Sequence, residues 1–580
     1  MLGGRRARGA PPAAGLRPGS AATLRRAAAL LLSAAALSLA ALSLAALSLA
    51  AAGCGSGPAA SGGPPAGSPA PHPGGTFEYP LQSDPRSLLP PHVDDSAETE
   101  VGHQIFEGLV AYEARDDGTV VTVPCLAESW SANADASVWT FRLRRGVRFQ
   151  APVGREVTAG DVVAALRYLA DRRHGSFLAY MYAVIAGTDE EGFAAPRDLA
   201  VAALDRYTVR FTLKRPFAVF PETVGHAAYW VWPVDYLRRV GRAGFEASPA
   251  GTGPFVLSRR VRGEYIDLRR NPSWWNASSG QPYLEGVHFR VFESVSAELL
   301  AFQKGLIDYT WVPQGQVAAS RSLPQVRSGE WEAKVLPVQG VFYVAFFWDD
   351  PVVGREGGRT VREALDCAVD RAALVAAVGD GVYIPQTGLV PAVFPGWKDE
   401  QPAQAYDPRR ARVLYEQAGS PPLELTYWDD RAVEAGALWL RDACAAAGIP
   451  LELRRITWEQ FGEAVYGGGS GLQVFFTGWL ADYPSDDDFL YPTFFSGLSA
   501  SSLGTAYVDA DVDRLLTLAR STADPARRLD LSRRAAHEIL ADKPALPLFE
   551  FADYRLLSTR VGGFTAPTAQ GVDMWRLWVK

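Results

Sequence analysis

Cysteine is scarce in this chain, with Cys54, Cys125, Cys367 and Cys444 the only four in 580 residues. Their wide spacing excludes a CxxC redox motif, a zinc site of paired cysteines and a disulfide-dense scaffold. Cys125, Cys367 and Cys444 sit among small or apolar neighbours ("TVPCLAESW", "ALDCAVD", "DACAAAG") and read as core residues, with one disulfide among them left open. Histidine is equally sparse: the seven at 72, 92, 103, 174, 226, 288 and 537 are scattered singly. No GxSxG elbow, HExxH pair or GxxxxGKS/T loop occurs, and no Gly is followed by Lys anywhere. These absences leave no recognisable catalytic constellation. The sequence predicts no enzyme activity, no cofactor and no metal. No basic patch or Lys/Arg cluster suggests nucleic acid, which is not an expected partner.

Only one long apolar run is present, Ala27 to Ala52. Six arginines (5, 6, 8, 17, 25 and 26) precede it and "AAGC" at Cys54 follows, the layout of a secretory signal. Small residues directly before a cysteine resemble a bacterial lipobox, so 1–53 is expected to be removed and Cys54 to carry lipid. An uncleaved anchor is the alternative, since the run is long enough to span a bilayer. Either way the rest of the chain is expected outside the cell membrane, held to its outer face. Residues 54–73 are Gly, Pro, Ala and Ser apart from Cys54 and His72, a flexible tether. Without the leader, 51 basic residues stand against 64 acidic ones, a net charge of −13. The remaining 527 residues exceed one ordinary core, which predicts two or three lobes.

Strand and helix patterns alternate, predicting a mixed α/β fold. "YTVRFTL" sets Tyr207, Val209, Phe211 and Leu213 on one face against Thr208, Arg210 and Thr212. "WTFRLRRGVRF" is expected to do the same around a turn at Gly146. Helix starts are expected at Thr158 with Asp161 and at Thr360 with Glu363, where "VREALDCAVDRAALV" follows. Asp407-Pro408 and Asp524-Pro525 each read as a cap followed by Pro at the first helical position. "GTGPF" at 251–255 lacks the Lys of a phosphate loop and reads as a tight turn between strands.

The stretch "TGWLADYPSDDDFLYP", 477–492, holds four aspartates among aromatic residues. Consecutive acids lack the alternation of a calcium loop, and "YPSDDD" is turn chemistry, so Asp486, Asp487 and Asp488 are expected in solvent. Asp482 differs because it follows the apolar strand "LQVFFTGWL" directly. A carboxylate there can meet a cation of a ligand, and a structural ion pair with an arginine is the reading it competes with.

Ordered segments then carry a resemblance. "GHQIFEGLV", "PCLAESW", "VTAGDVV", "GTGPFVL", "IDLRRNPSWW", "GRTVREALDCAVDRAALV", "YDPRRARVLYEQAG", "GWLADYPSDDDFLYPTFFS" and "KPALPLFEF" are together similar to family 5 of the bacterial extracellular solute-binding proteins. This is the oligopeptide, dipeptide and nickel class that serves ABC importers, and the likeness runs from about residue 75 to 578. It implies a two-lobed periplasmic-binding-protein-like fold (type II, cluster C) with an extra third domain. By analogy, 74–118, 244–345 and 560–580 would form lobe I, 119–243 the extra domain II, and 346–559 lobe III. The resemblance further implies a peptide ligand, with contacts at Thr477, Gly478, Trp479, Leu480, Asp482 and Tyr483. An Asp at the position of Asp482 would hold the ligand α-ammonium. A permease and ATPase complex would be the docking partner of a monomeric receptor. Another solute (an oligosaccharide or a nickel chelate) and a peptide-sensing role are the alternatives it leaves.

Overall fold

The computed structural model describes residues 71–93, 95–115, 119–277, 280–355, 357–402, 405–467 and 471–580. The leader, Cys54 and all but the last residues of the tether lie outside them. Three larger sheets organise the rest. The first has the order Thr76–Leu81, Gly286–Val291, Tyr265–Arg270, Phe255–Val261, with its first pair parallel. The second is antiparallel: Ala127–Ala132, Val138–Leu143, Thr208–Thr212, Val201–Asp205. The third is mixed, with the path Tyr309–Trp311, Ala545–Ser558, Trp331–Phe346, Val474–Leu480, Leu423–Trp428, Leu451–Ile456, and with Ile384–Pro385 beside Ala545–Ser558.

Two large cores result. One gathers residues between Phe77 and Phe289 with Val572, Met574, Leu577 and Val579 of the C-terminus. The other is built from residues between Val341 and Phe549. A smaller cluster lies at Leu299, Phe302, Ile307 and Leu556. The strands Trp331–Phe346 and Ala545–Ser558 pass from the small cluster into the second core. Their pairing shifts register between Pro337 and Val341.

Local chemistry explains many of these elements. Val209 and Phe211 are fully buried, while Thr208, Arg210 and Thr212 are not, so the alternation in "YTVRFTL" is a real half-buried strand. Thr158 and Asp161 form a capping box for Ala159–Ala170. Asp407 accepts from the Arg409 and Arg410 N–H groups ahead of Pro408–Gln417, and Asp524 caps Pro525–Asp542.

Three expectations are corrected. Thr360 does not start its helix: Arg359–Ala368 begins after Gly358, and the run breaks at Val369 so that Asp370 caps a second helix, Arg371–Val378. Within the first helix Arg362, only 1% exposed, donates to the carbonyls of Val353, Arg355 and Asp542 and fixes the helix to its surroundings. "GTGPF" lies between the helix Val234–Ala247 and the strand Phe255–Val261 rather than between strands. A Cβ on Gly251 would collide with the Ile105 carbonyl, and Gly253 donates to that same oxygen at 2.8 Å, so close approach is what glycine permits here. After the left-handed Gly146, the chain makes only an isolated bridge, Arg148 to Glu156, instead of a second strand. Cys125, Cys367 and Cys444 are buried and unpaired. Among the described residues no cluster of His, Cys, Asp and Glu could hold a metal, and no helix is long and apolar enough to cross a membrane.

Candidate ligand-binding cleft

The strand Val474–Leu480 pairs along its full length with Trp331–Phe346 but meets Leu423–Trp428 only at Val474 and Phe475. Beyond Trp428 its neighbour leaves the sheet and turns into the helix Arg431–Ala446. Ala481 extends the antiparallel register by donating to the Gln339 carbonyl at 2.8 Å. Bonding alternates along such a ladder, so Thr477 and Trp479 direct their N–H and C=O groups to Trp331–Phe346. Those of Gly478 and Leu480 point the other way, where no strand of the described residues covers them. A short free edge is left.

Asp482 stands just past that edge, half-buried. The Tyr180 hydroxyl donates to its Oδ1 at 3.2 Å, and no basic side chain among the described residues pairs with it. Burial pushes its carboxyl up to about 6, with the Tyr180 bond acting against the shift. Its N–H donates to Asp488 Oδ2 at 2.8 Å, and the indole N–H of the half-buried Trp479 reaches the same oxygen at 3.3 Å. Asp488 is itself raised well above the usual range, by burial first and then by the charge of Asp482. The two carboxyls resist ionising together.

Asp487 and Asp488 are buried and Asp486 is half-buried, which corrects the expectation that all three lie in solvent. Ser485 accepts from the Asp487 N–H and caps Asp486–Phe494, so the three acids form a helical first turn, where negative charge is favoured. Asp487 is 8% exposed and Asp488 2%. The structural ion pair with an arginine weighed for Asp482 is found instead at Asp487: Arg520 Nε lies 2.9 Å from Oδ1, and the Tyr483 hydroxyl donates to Oδ2 at 2.8 Å.

Side chains from the first core face these acids. The Arg520 guanidinium lies 3.7 Å from the Tyr491 ring centre and 4.0 Å from that of Phe217, and Ala218 donates to the Arg520 carbonyl at 2.6 Å. Tyr112 donates to the Glu222 carbonyl oxygen at 2.7 Å. Burial raises the Glu222 carboxyl to about 7, opposed chiefly by Arg528, and lowers His226 to about 4. Tyr112, Tyr180, Glu222, Phe217 and Arg520 were not legible in the sequence; Tyr180 is 302 residues from the acid it touches.

A cavity of about 230 Å³ opens beside the strand, with Leu480, Phe551, Trp311 and Ser96 among its lining residues. Of the six positions named from the sequence, the structure groups Trp479 and Asp482 around Asp488 and puts Leu480 on the cavity wall. Gly478 lies against Phe342, where a Cβ would stand 3.3 Å from that ring. The Thr477 side chain is buried within the sheet, and Tyr483 packs into the first core.

The sequence profile of the bacterial extracellular solute-binding proteins, family 5, middle region, matches residues 121–501. The periplasmic oligopeptide-binding protein OppA of Escherichia coli K12 is 27% identical over 504 residues, covering 83% of this chain and 88% of that one. Di/tripeptide-binding protein 4 of Pseudomonas aeruginosa is 27% identical over 476 residues, 78% of this chain and 84% of its own. Among solved structures, the unliganded open form of the murein tripeptide-binding protein MppA superposes with a TM-score of 0.75 at 22% identity, over 88% of this chain and 98% of that one. DppA of Helicobacter pylori, in complex with the peptide STSA, gives 0.66 at 23% identity, over 88% and 98%. The shared architecture is the two-lobed periplasmic-binding-protein fold with an added domain.

Proposed function

The chain belongs to the bacterial extracellular solute-binding proteins of family 5, and we propose that it captures peptides by their free N-terminus and delivers them to an ABC permease and its ATPase. One observation carries this reading: a half-buried carboxyl, Asp482, without a cation of its own, at the end of a strand with a free edge. A peptide α-ammonium supplies the missing charge through a charge-assisted bond, which is about twice as strong as a neutral one. The amides of Gly478 and Leu480 pair with the ligand backbone as an added strand, a mode indifferent to side-chain identity. Trp479 positions Asp488, and Asp488 in turn holds the Asp482 backbone in place. The role is capture without chemistry, by a monomer held at the outer membrane face through lipid on Cys54.

The proposed division into lobe I (74–118, 244–345, 560–580), domain II (119–243) and lobe III (346–559) is supported by two features. The antiparallel sheet of 127–212 stays within the second segment, and the C-terminal residues pack into the first core. Relatives named for oligopeptides, di- and tripeptides, and peptide complexes of the same fold support the ligand class. Calorimetry with free and N-acetylated tripeptides tests the anchor. Asp482→Ala is expected to weaken free-amine peptides by about 10- to 100-fold and acetylated ones hardly at all; equal losses for both would remove the assigned role.

A further inference from the structure

Arg520 pairs with Asp487, but another acid at the same contact between the two large cores has no such partner. Glu222 belongs to the short helix Phe220–Thr223, just after Phe217 and Ala218, the residues that meet Arg520. It is half-buried, and its Oε2 is closed off from solvent with no hydrogen-bond partner among the described residues.

The charges facing it come mostly from the other core. Asp486 and Asp487 of Asp486–Phe494 repel it, and Arg528 of Pro525–Asp542 attracts it. Arg528 Nη1 donates to the Thr522 carbonyl at 3.4 Å, and Arg520 is held by Asp487 at 2.9 Å. Asp486 accepts from the Asp487 N–H at 3.0 Å and is itself raised, by burial first. On the near side stand His226 and Tyr112, whose hydroxyl donates to the Glu222 carbonyl oxygen. Asp482 and Asp488 complete the set, since the Tyr112 hydroxyl feels both of them together with Glu222.

A carboxylate oxygen buried without a donor and set against two further carboxylates is costly to ionise. Burial is the first cause that brings the Glu222 carboxyl up to about 7, with Asp486 and Asp487 adding to it. Separating the cores would return the group toward water and its ordinary 4.5. We propose that Glu222 is a proton-binding site that gates the contact between the two cores: the protonated acid lets them meet, and the carboxylate holds them apart. The joined cores bind the proton more tightly than the separated ones. The contact is therefore fully favoured below 4.5 and weakens as pH rises through 7. Asp482 and Asp488 act in the same direction, since burial raises both. His226 opposes them between 6.5 and about 4, because burial lowers it. None of this needs a peptide, so the gate goes beyond the capture reading and stands or falls without it.

Hydrogen exchange of the ligand-free protein reads this contact, because the Ala218 N–H donates across it to the Arg520 carbonyl at 2.6 Å. Rates are corrected for the intrinsic pH dependence of exchange. Glu222→Gln keeps the shape and removes the charge, and the other titrating groups cancel in the comparison. Ala218 protection in Glu222→Gln relative to the unaltered protein should grow about tenfold from pH 6 to pH 8. A gain in protection is not what a folding defect produces. Asp486→Asn, on the opposite core, should likewise gain more protection at pH 8 than at pH 6. A Glu222→Gln ratio that stays within about twofold across this range overturns the gate, as does an Ala218 amide that exchanges freely at both pH values. Should Glu222→Gln also lose protection in the strand Thr208–Thr212, Asp486→Asn decides alone, and an equal gain at both pH values overturns the proposal.

Discussion

At the scale of single residues, the site is defined by which acid has a cation and which does not. Asp487 has Arg520; among the described residues the Asp482 carboxyl has only the Tyr180 hydroxyl. Burial pushes the Asp482 carboxyl up to about 6, and a peptide α-amine loses its proton at about 7.7–8.0. Below 6 the acid is neutral and the pair is lost, while above 8 the ammonium is neutral with the same result. Affinity for free-amine peptides should therefore follow a bell with its maximum between these limits, falling up to about tenfold per pH unit on the acid side. Titration calorimetry from pH 4.5 to 9 would show it, and a flat profile would remove Asp482 from the contact. The sequence made Asp482 conspicuous through its place after an apolar strand. It misled on Asp486 to Asp488 because Ser followed by acids is both turn chemistry and helix-capping chemistry. Which of the two holds depends on whether the first turn faces solvent, and here it faces Tyr483, Trp479 and Arg520, side chains that local sequence cannot place.

At the scale of elements, legibility follows the range of the forces involved. Caps at Thr158, Asp407 and Asp524 act over three residues and were readable directly. The burial of Arg362 was not, because its guanidinium reaches the Asp542 carbonyl 180 residues away. Nor could the free edge be read. It exists because Leu423–Trp428 pairs with Val474–Leu480 no further than Thr426, while Trp331–Phe346 continues along it to Gly340. Its use by a ligand has a distinctive signature. Amides of Gly478 and Leu480 point outward and those of Thr477 and Trp479 do not, so the ligand should be bonded at alternate residues only. Single N-methylation along a tetrapeptide removes one donor at a time. Alternate positions should lose about tenfold or more in affinity, and the positions between them much less. Uniform small losses measured by calorimetry would show that the ligand does not pair with this edge.

At the scale of the whole molecule, the two large cores are joined by two long strands and by a second set of contacts far from them in sequence. Trp331–Phe346 and Ala545–Ser558 make the continuous connection. The other contact is made by Phe217 and Ala218 against Arg520, with Tyr483 packed into the opposite core. Arg520 serves both sides, since its guanidinium bonds to Asp487 and lies over Phe217. Arg520→Ala should destabilise the protein by about 3–5 kcal/mol, because Asp487 is left buried without its partner. Asp487→Asn in the same chain should recover part of that loss. Phe217→Ala costs stability on its own account by leaving a cavity. The informative quantity is the coupling between Phe217→Ala and Arg520→Ala, expected at about 0.5–2 kcal/mol by urea denaturation. Coupling of that size means the two cores feel each other through this contact, and losses that simply add mean that the contact transmits no stability between them and the cores are held by the long strands and the remaining contacts, such as Tyr180 on Asp482.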